Sequence, residues 1–170
     1  TDKISGCNAL DKVLINKNLP EYKIKLKMLQ EKLEQHQVEV IVDSKVSDIL
    51  SDKEQVSDSS IWYEEFLALK LLIGEVNSLE DAITAINTYS GKHSASIITE
   101  DQFEAKQFMQ NVDSAAVYHN ASTRFTDGGQ MGVGAELAIS TDKLHHRGPL
   151  GLNQLVTNKY YVYGDGQVRI

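Results

Sequence analysis

Hydrophobic and polar positions alternate between two periods along this chain. Val13-Leu14-Ile15 is a short apolar run and predicts a strand. Pro20 suits the first turn of a helix, and Tyr22, Leu26, Leu29 and Leu33 then recur at helical spacing with Lys and Glu between them. Val38 to Val42 predicts the next strand, Val46, Ile49 and Leu50 a short helix, and Asp52 to Ser60 a polar loop. Phe66 to Ile73 is almost continuously apolar, as a central strand would be. Ser78-Leu79-Glu80-Asp81 has the form of a capped helix start, with Leu79, Ala82, Ile83 and Ile86 sharing one face. Ala95 to Ile98 predicts a strand. Thr99 with Gln102 suggests the cap of a helix that puts Ala105, Phe108, Met109 and Val112 on one side. Ser114 to Tyr118 predicts a further strand. Strands alternating with amphipathic helices define an α/β class with a largely parallel sheet and flanking helices. Beyond Asn120 the pattern breaks into glycine-rich loops. Lys159 to Tyr163, Gly164-Asp165-Gly166 and Gln167 to Ile170 then read as strand, turn and short strand.

The 170 residues suit one compact domain with a real core. A formal charge of −7 argues against a general nucleic-acid surface, though a local site can still hold an anion. One cysteine cannot form an internal disulfide, which fits a reducing compartment. No stretch approaches the roughly 20 apolar residues of a membrane span, and Thr1 opens no signal peptide. A cytoplasmic protein without membrane or nucleic-acid partners is the expectation. Five histidines lack paired ligand spacing, so no metal is expected.

Two short segments carry chemistry. Asn120-Ala121-Ser122-Thr123-Arg124-Phe125-Thr126-Asp127-Gly128-Gly129 follows the apolar run Ser114 to Tyr118 and delivers hydroxyls, an amide, an arginine and a glycine pair at a strand end, where open α/β sheets bind ligands. Arg124 is either a surface or salt-bridged arginine or a fork for a carboxylate or phosphate. Ser122 and Thr123 offer hydroxyl donors, or local turn bonds. The second segment is Gly6-Cys7-Asn8. A lone cysteine is commonly a small buried filler, but Gly6 and Asn8 favour a turn that exposes the thiol. A thiol of ordinary pKa is only ~3% thiolate at pH 7, so a nucleophilic Cys7 would call for local positive potential. Gly128-Gly129 and Gly132-Val133-Gly134 do not form a dinucleotide fingerprint, because Leu137 stands where a third glycine is required. They read as tight turns.

The Asn120–Gly129 block, with Gly132-Val133-Gly134-Ala135-Glu136, Ser140-Thr141, Leu144-His145 and Arg147-Gly148-Pro149, resembles the C-terminal half of the gamma-glutamyl phosphate reductases, a family of the aldehyde dehydrogenase superfamily. Gly6-Cys7-Asn8-Ala9-Leu10 with Val13-Leu14-Ile15 is similar to the segment holding that family's nucleophilic cysteine. The resemblance implies an aldehyde dehydrogenase catalytic-domain-like fold over residues 1–155, followed by a C-terminal β arm over 156–170 that serves homo-oligomerisation. It implies that Cys7 is the catalytic nucleophile and that Asn120, Ser122, Thr123 and Arg124 bind substrate. It implies reduction of L-glutamyl 5-phosphate by NADPH through a cysteine thioester, in proline biosynthesis. Glu65, beside Phe66, is the implied contact to the nicotinamide ribose, with NADPH held mainly by a domain outside this chain. His93 and His145 fall where the family carries histidine; His119 and His146 do not. With only six residues before Cys7, the chain reads as a portion of a longer one, inactive alone in hydride transfer. The reductase part of a bifunctional pyrroline-5-carboxylate synthase, a cysteine acyl hydrolase, and a non-catalytic interaction fragment are the competing readings.

Overall fold

The structure is a computed structural model that describes residues 3–56, 58–134 and 136–169. Thr1, Ala135 and Ile170, which the sequence reading drew on, lie outside them. Four parallel strands form the larger sheet, in the order β1 (Lys12–Asn16), β4 (Lys70–Val76), β2 (Glu39–Val42) and β3 (Glu54–Gln55). Helix α1 (Tyr22–Gln35) and the short α2 (Ser44–Ser47) lie between these strands in the chain. β5 (Ser94–Ile97) and β6 (Ala116–His119) pair in parallel, with α4 (Gln102–Asn111) between them and α3 (Leu79–Tyr89) before them. The α/β class expected from the sequence is what forms.

The larger sheet is apolar on both faces, as buried parallel strands are. Val40, Val42, Leu71 and Ile73 pack under Leu26 and Val46 from the helices and Leu50 from the turn after α2. Ile41 and Leu72, paired in register, are fully buried on the opposite face. Gly74 continues that face, and Trp62 from the 3-10 turn Ser59–Tyr63 lies directly on it. A Cβ at Gly74 would stand 2.4 Å from Trp62 Cη2, so only glycine lets the indole approach. Trp62 in turn meets Tyr89 of α3, ring centroids 5.8 Å apart. A second core joins Ala95, Phe108 and Val112 with Leu79, Ile83 and Ile86.

Several boundaries differ from the sequence reading. Pro20 precedes α1 rather than opening it, and Glu21 caps the helix with a left-handed φ of 59°. The central strand begins at Lys70, because Leu67 turns into the left-handed region and breaks the apolar run. Asp101, not Thr99, caps α4: its carboxylate accepts from the N–H groups of Phe103 and Glu104. The Ser78 cap of α3 is present, with Ser78 Oγ accepting from Asp81 N and Asp81 reaching back to Asn77 N. Within α4, Met109 is 44% exposed while Ala105 and Phe108 are buried.

Two strands went unread: β7 (Ala138–Ser140) and β8 (Gly148–Leu150) form an antiparallel pair within the glycine-rich region. Asp113 fastens this hairpin to the end of α4. It meets Arg147 Nη1 at 2.8 Å and Lys143 Nζ at 2.6 Å, and its main-chain carbonyl accepts from Arg147 Nη2. The paired strands expected over Lys159–Tyr163 and Gln167–Arg169 do not form within the chain. A strand requires a ladder partner, and among the described residues 156–169 are exposed and join no sheet. No helix among the described residues is long and apolar enough to cross a membrane.

Candidate active site

Folding brings the two chemical segments of the sequence together. Cys7 lies in the loop before β1, within a turn closed by Gly6 N to Lys3 O at 3.2 Å and Ala9 N to Gly6 O at 2.8 Å. Its thiol is free and exposed. The next residue, Asn8, is buried and works as a clamp. Its Nδ2 donates to the carbonyls of Arg124 at 3.2 Å and Thr126 at 2.9 Å. Its Oδ1 accepts from Arg124 Nη1, and its carbonyl accepts from Thr123 Oγ1 at 2.9 Å. Side chain and main chain of Asn8 therefore grip a segment more than a hundred residues away. A Cβ on Gly6 would stand 3.0 Å from Arg124 Nη1, so a larger residue before Cys7 would require the guanidinium to give way.

The 120–126 segment is shaped by its own polar groups. Asn120 adopts a left-handed φ of 53°, which asparagine tolerates, and its side-chain amide both accepts from Thr99 N and donates to Thr99 O. Ser122 Oγ accepts from Arg124 N and caps the 3-10 turn Thr123–Phe125. Thr123 is buried against Asn8, as above. Arg124 is exposed, with one guanidinium N–H given to Asn8. Asn120 and Thr123 thus spend their side chains tying the segment to Thr99 and Asn8, while Ser122, which caps the segment's own turn, and Arg124 are exposed.

Thr126, 1% exposed, holds a polar junction that the sequence reading missed. Its hydroxyl lies 2.6 Å from Ser94 Oγ and 2.9 Å from Tyr118 OH, and Ser94 Oγ lies 2.7 Å from His93 Nδ1. His93 Nε2 is buried and has no hydrogen-bond partner among the described residues. The hydroxyls of Ser94 on β5 and Tyr118 on β6, beside His93, were the available signal.

The potential at the thiol is the opposite of that expected. Partial burial pushes the Cys7 thiol up, and the Glu136 carboxylate and then Glu65 push it further; its own backbone N–H and Lys3 oppose them. Glu136 is set there by Gly128, whose N–H donates to Glu136 Oε2 at 2.8 Å. A Cβ at Gly128 would stand 2.8 Å from Glu136 Cβ, so the glycine admits this close return of the chain. Gly132 and Gly134, at φ of 73° and 83°, are tight-turn positions. His93 feels the same two carboxylates, although burial outweighs them and draws its imidazole below the ordinary value. Glu65, exposed on the segment before β4, is thus on the thiol's side of the molecule. Among the described residues no cluster of three or more His, Cys, Asp or Glu side chains is placed to hold a metal ion.

A parallel α/β core thus carries a loop-borne cysteine that is tied through Asn8 to a polar strand-end segment. The profile described as the aldehyde dehydrogenase family matches residues 50–137, more than half of the chain, and the chain belongs to that family. It is 46% identical over 165 residues to gamma-glutamyl phosphate reductase of Dictyoglomus thermophilum, covering 97% of this chain and 39% of that protein. The enzyme of the same name from Clostridium perfringens is 46% identical over 171 residues, covering 99% of this chain and 40% of that protein. The crystal structure of gamma-glutamyl phosphate reductase from Thermotoga maritima superimposes with a TM-score of 0.93 at 43% identity, over 99% of this chain and 40% of that one. The chain spans about two fifths of the length of the relatives it matches.

Proposed function

We propose that this chain is the thiol-bearing part of an NADPH-dependent gamma-glutamyl phosphate reductase, which converts L-glutamyl 5-phosphate to L-glutamate 5-semialdehyde and phosphate in proline biosynthesis. The observation that carries the reading is the Asn8 clamp, which sets an accessible cysteine against the exposed Ser122 and Arg124. In this reading Cys7 is the nucleophile. Its thiolate attacks the acyl carbon, and phosphate departs without a strong general acid because it is a good leaving group. NADPH supplies the hydride that reduces the resulting thioester. The Cys7 backbone N–H is one donor for the oxyanion. Arg124 offers a planar fork to an anionic end of the substrate, with Ser122 beside it. Asn120 and Thr123 hold the segment in shape. Glu65 accepts from the nicotinamide ribose, and most of the dinucleotide is bound by residues beyond this chain. The exposed 156–169 segment, with Tyr160, Val162 and Tyr163 at least 84% exposed, serves homo-oligomerisation. The enzyme acts in the cytoplasm.

The test uses the full-length protein and follows reduction of NADP by glutamate semialdehyde, supplied as its cyclic imine, with and without inorganic phosphate. Phosphate-dependent reduction that vanishes in Cys7→Ala supports the reading. Reduction without phosphate would make the protein a hydrolytic aldehyde dehydrogenase instead.

A further inference from the structure

A gamma-glutamyl phosphate carries two anionic ends. Its phosphate sits on the carbon that a cysteine attacks, and its α-carboxylate lies four bonds further along. An arginine fixed beside the cysteine serves the first, and one fixed at the far end of the substrate serves the second.

We propose that Arg124 holds the phosphate of the substrate, not the α-carboxylate, and so makes the cysteine turn a phosphate site. The guanidinium is seated against the two residues that flank Cys7. On one side Arg124 Nη1 donates to Asn8 Oδ1. On the other it packs on Gly6, so closely that a Cβ there would stand 3.0 Å from Nη1. Asn8 is itself buried and tied by Nδ2 to the carbonyls of Arg124 and Thr126, at 3.2 and 2.9 Å. The acceptor that orients the guanidinium is therefore a fixed one.

Most of the guanidinium's bonding capacity is unspent. Among the described residues its hydrogen-bond partner is Asn8, and no carboxylate pairs with it. The edge formed by Nε and Nη2 keeps the geometry for a two-pronged bond to an oxyanion. Ser122 Oγ accepts from Arg124 N at 3.2 Å, which leaves its own hydroxyl proton to donate to the same oxyanion.

The charges around the turn favour the same assignment. Glu136 and Glu65 press on the thiol and repel a phosphate that approaches it. Lys3 opposes them, and its carbonyl closes the cysteine turn by accepting from Gly6 N at 3.2 Å. A phosphate brought to Cys7 thus requires a cation at the turn itself, and Arg124 is held there by contacts on both sides. An α-carboxylate four bonds from the attacked carbon has no such need. As the bond from the acyl carbon to the phosphate oxygen breaks, its electron pair stays on the phosphate, and the fork meets the charge that develops there. This proposal rests on the reductase reading for the acyl group, while anion binding at the cysteine turn does not.

Two measurements on the full-length protein test it. Reduction of NADP by glutamate semialdehyde gives separate KM values for inorganic phosphate and for the semialdehyde, which carries only the α-carboxylate. Arg124→Gln is expected to raise KM for phosphate about 10- to 100-fold, the range for loss of charge-assisted hydrogen bonds, and KM for the semialdehyde by less than about twofold. Arg124→Lys, which keeps the charge and loses the fork, should fall between wild type and Arg124→Gln. A rise in the semialdehyde KM instead assigns Arg124 to the α-carboxylate and overturns the proposal. Iodoacetamide alkylation of Cys7, without semialdehyde or cofactor, is the second readout. Inorganic phosphate should slow it saturably at constant ionic strength in wild type, and much less in Arg124→Gln. No protection by phosphate, or equal protection in both proteins, overturns the proposal. Should Arg124→Gln fail to fold, Arg124→Lys is judged by the same two readouts. If phosphate protects Cys7 through Arg124 but no phosphate-dependent reduction occurs, the reductase reading falls and the anion site stands.

Discussion

Replacing Asn8 by alanine removes the joint between the cysteine loop and the 120–126 segment. Two of the lost bonds run from Nδ2 to main-chain carbonyls of Arg124 and Thr126, the second fully buried. Each is worth about 1 kcal/mol net. The third, from Arg124 Nη1 to Oδ1, adds about 0.5 kcal/mol or less, because the exposed guanidinium turns to water when released. The sum is about 2–3 kcal/mol of local stability. Hydrogen exchange in the full-length protein reads it directly: protection of the Phe125 and Thr126 amides, which close the 3-10 turn, should fall about 30- to 150-fold. Asn8→Asp separates the contributions. It keeps an acceptor for Arg124 but points a carboxylate at two carbonyl oxygens, so it should be at least as damaging as alanine. Protection retained in Asn8→Asp would show that the Arg124 contact alone holds the segment. Protection retained in both variants would refute the clamp.

Three further outcomes follow from the geometry. Gly74→Ala should displace Trp62 from the sheet, costing about 1–3 kcal/mol in denaturant unfolding and red-shifting the tryptophan emission; an unshifted spectrum would contradict the close packing. Glu136→Gln should bring the Cys7 thiol down toward its ordinary value, because it removes the stronger of two opposing charges. Iodoacetamide alkylation at pH 9 should then be faster, with Glu65→Gln acting in the same direction but less; equal rates in all three proteins would place the carboxylates away from the thiol. Asp113→Asn should lower the melting temperature by loosening the β7–β8 hairpin. Lys143 and Arg147 hold the Asp113 carboxyl well below the usual carboxylate range, so this stabilisation is present above the unfolded carboxylate's pKa of about 3.9 and fades as pH falls beneath it. The wild-type advantage should therefore be constant from pH 8 to 5 and shrink below about pH 4.

Local pattern was enough for the class of fold, because each buried element writes its own period. Leu26, Leu29 and Leu33 mark a helix, and Val38 to Val42 a strand, wherever they end up. Cys7 and the Asn120–Gly129 block also stood out by composition. The arrival of one against the other did not, since it depends on the Asn8 side chain meeting carbonyls 116 and 118 residues away. No local signal distinguishes that asparagine from one in any polar turn. β7 and β8 are three residues each, and Pro149 obscures the second; the ion pairs from Asp113 to Arg147 and Lys143 that fasten their hairpin reach far along the chain, 34 residues in the case of Arg147. The sign of the potential at Cys7 was likewise beyond the sequence, because Glu136 and Glu65 lie on separate loops that fold to the same side. Strand and helix formation are short-range effects of side-chain period and backbone propensity. Hydrogen-bond partners and local electric fields depend on distances that only the assembled tertiary structure sets.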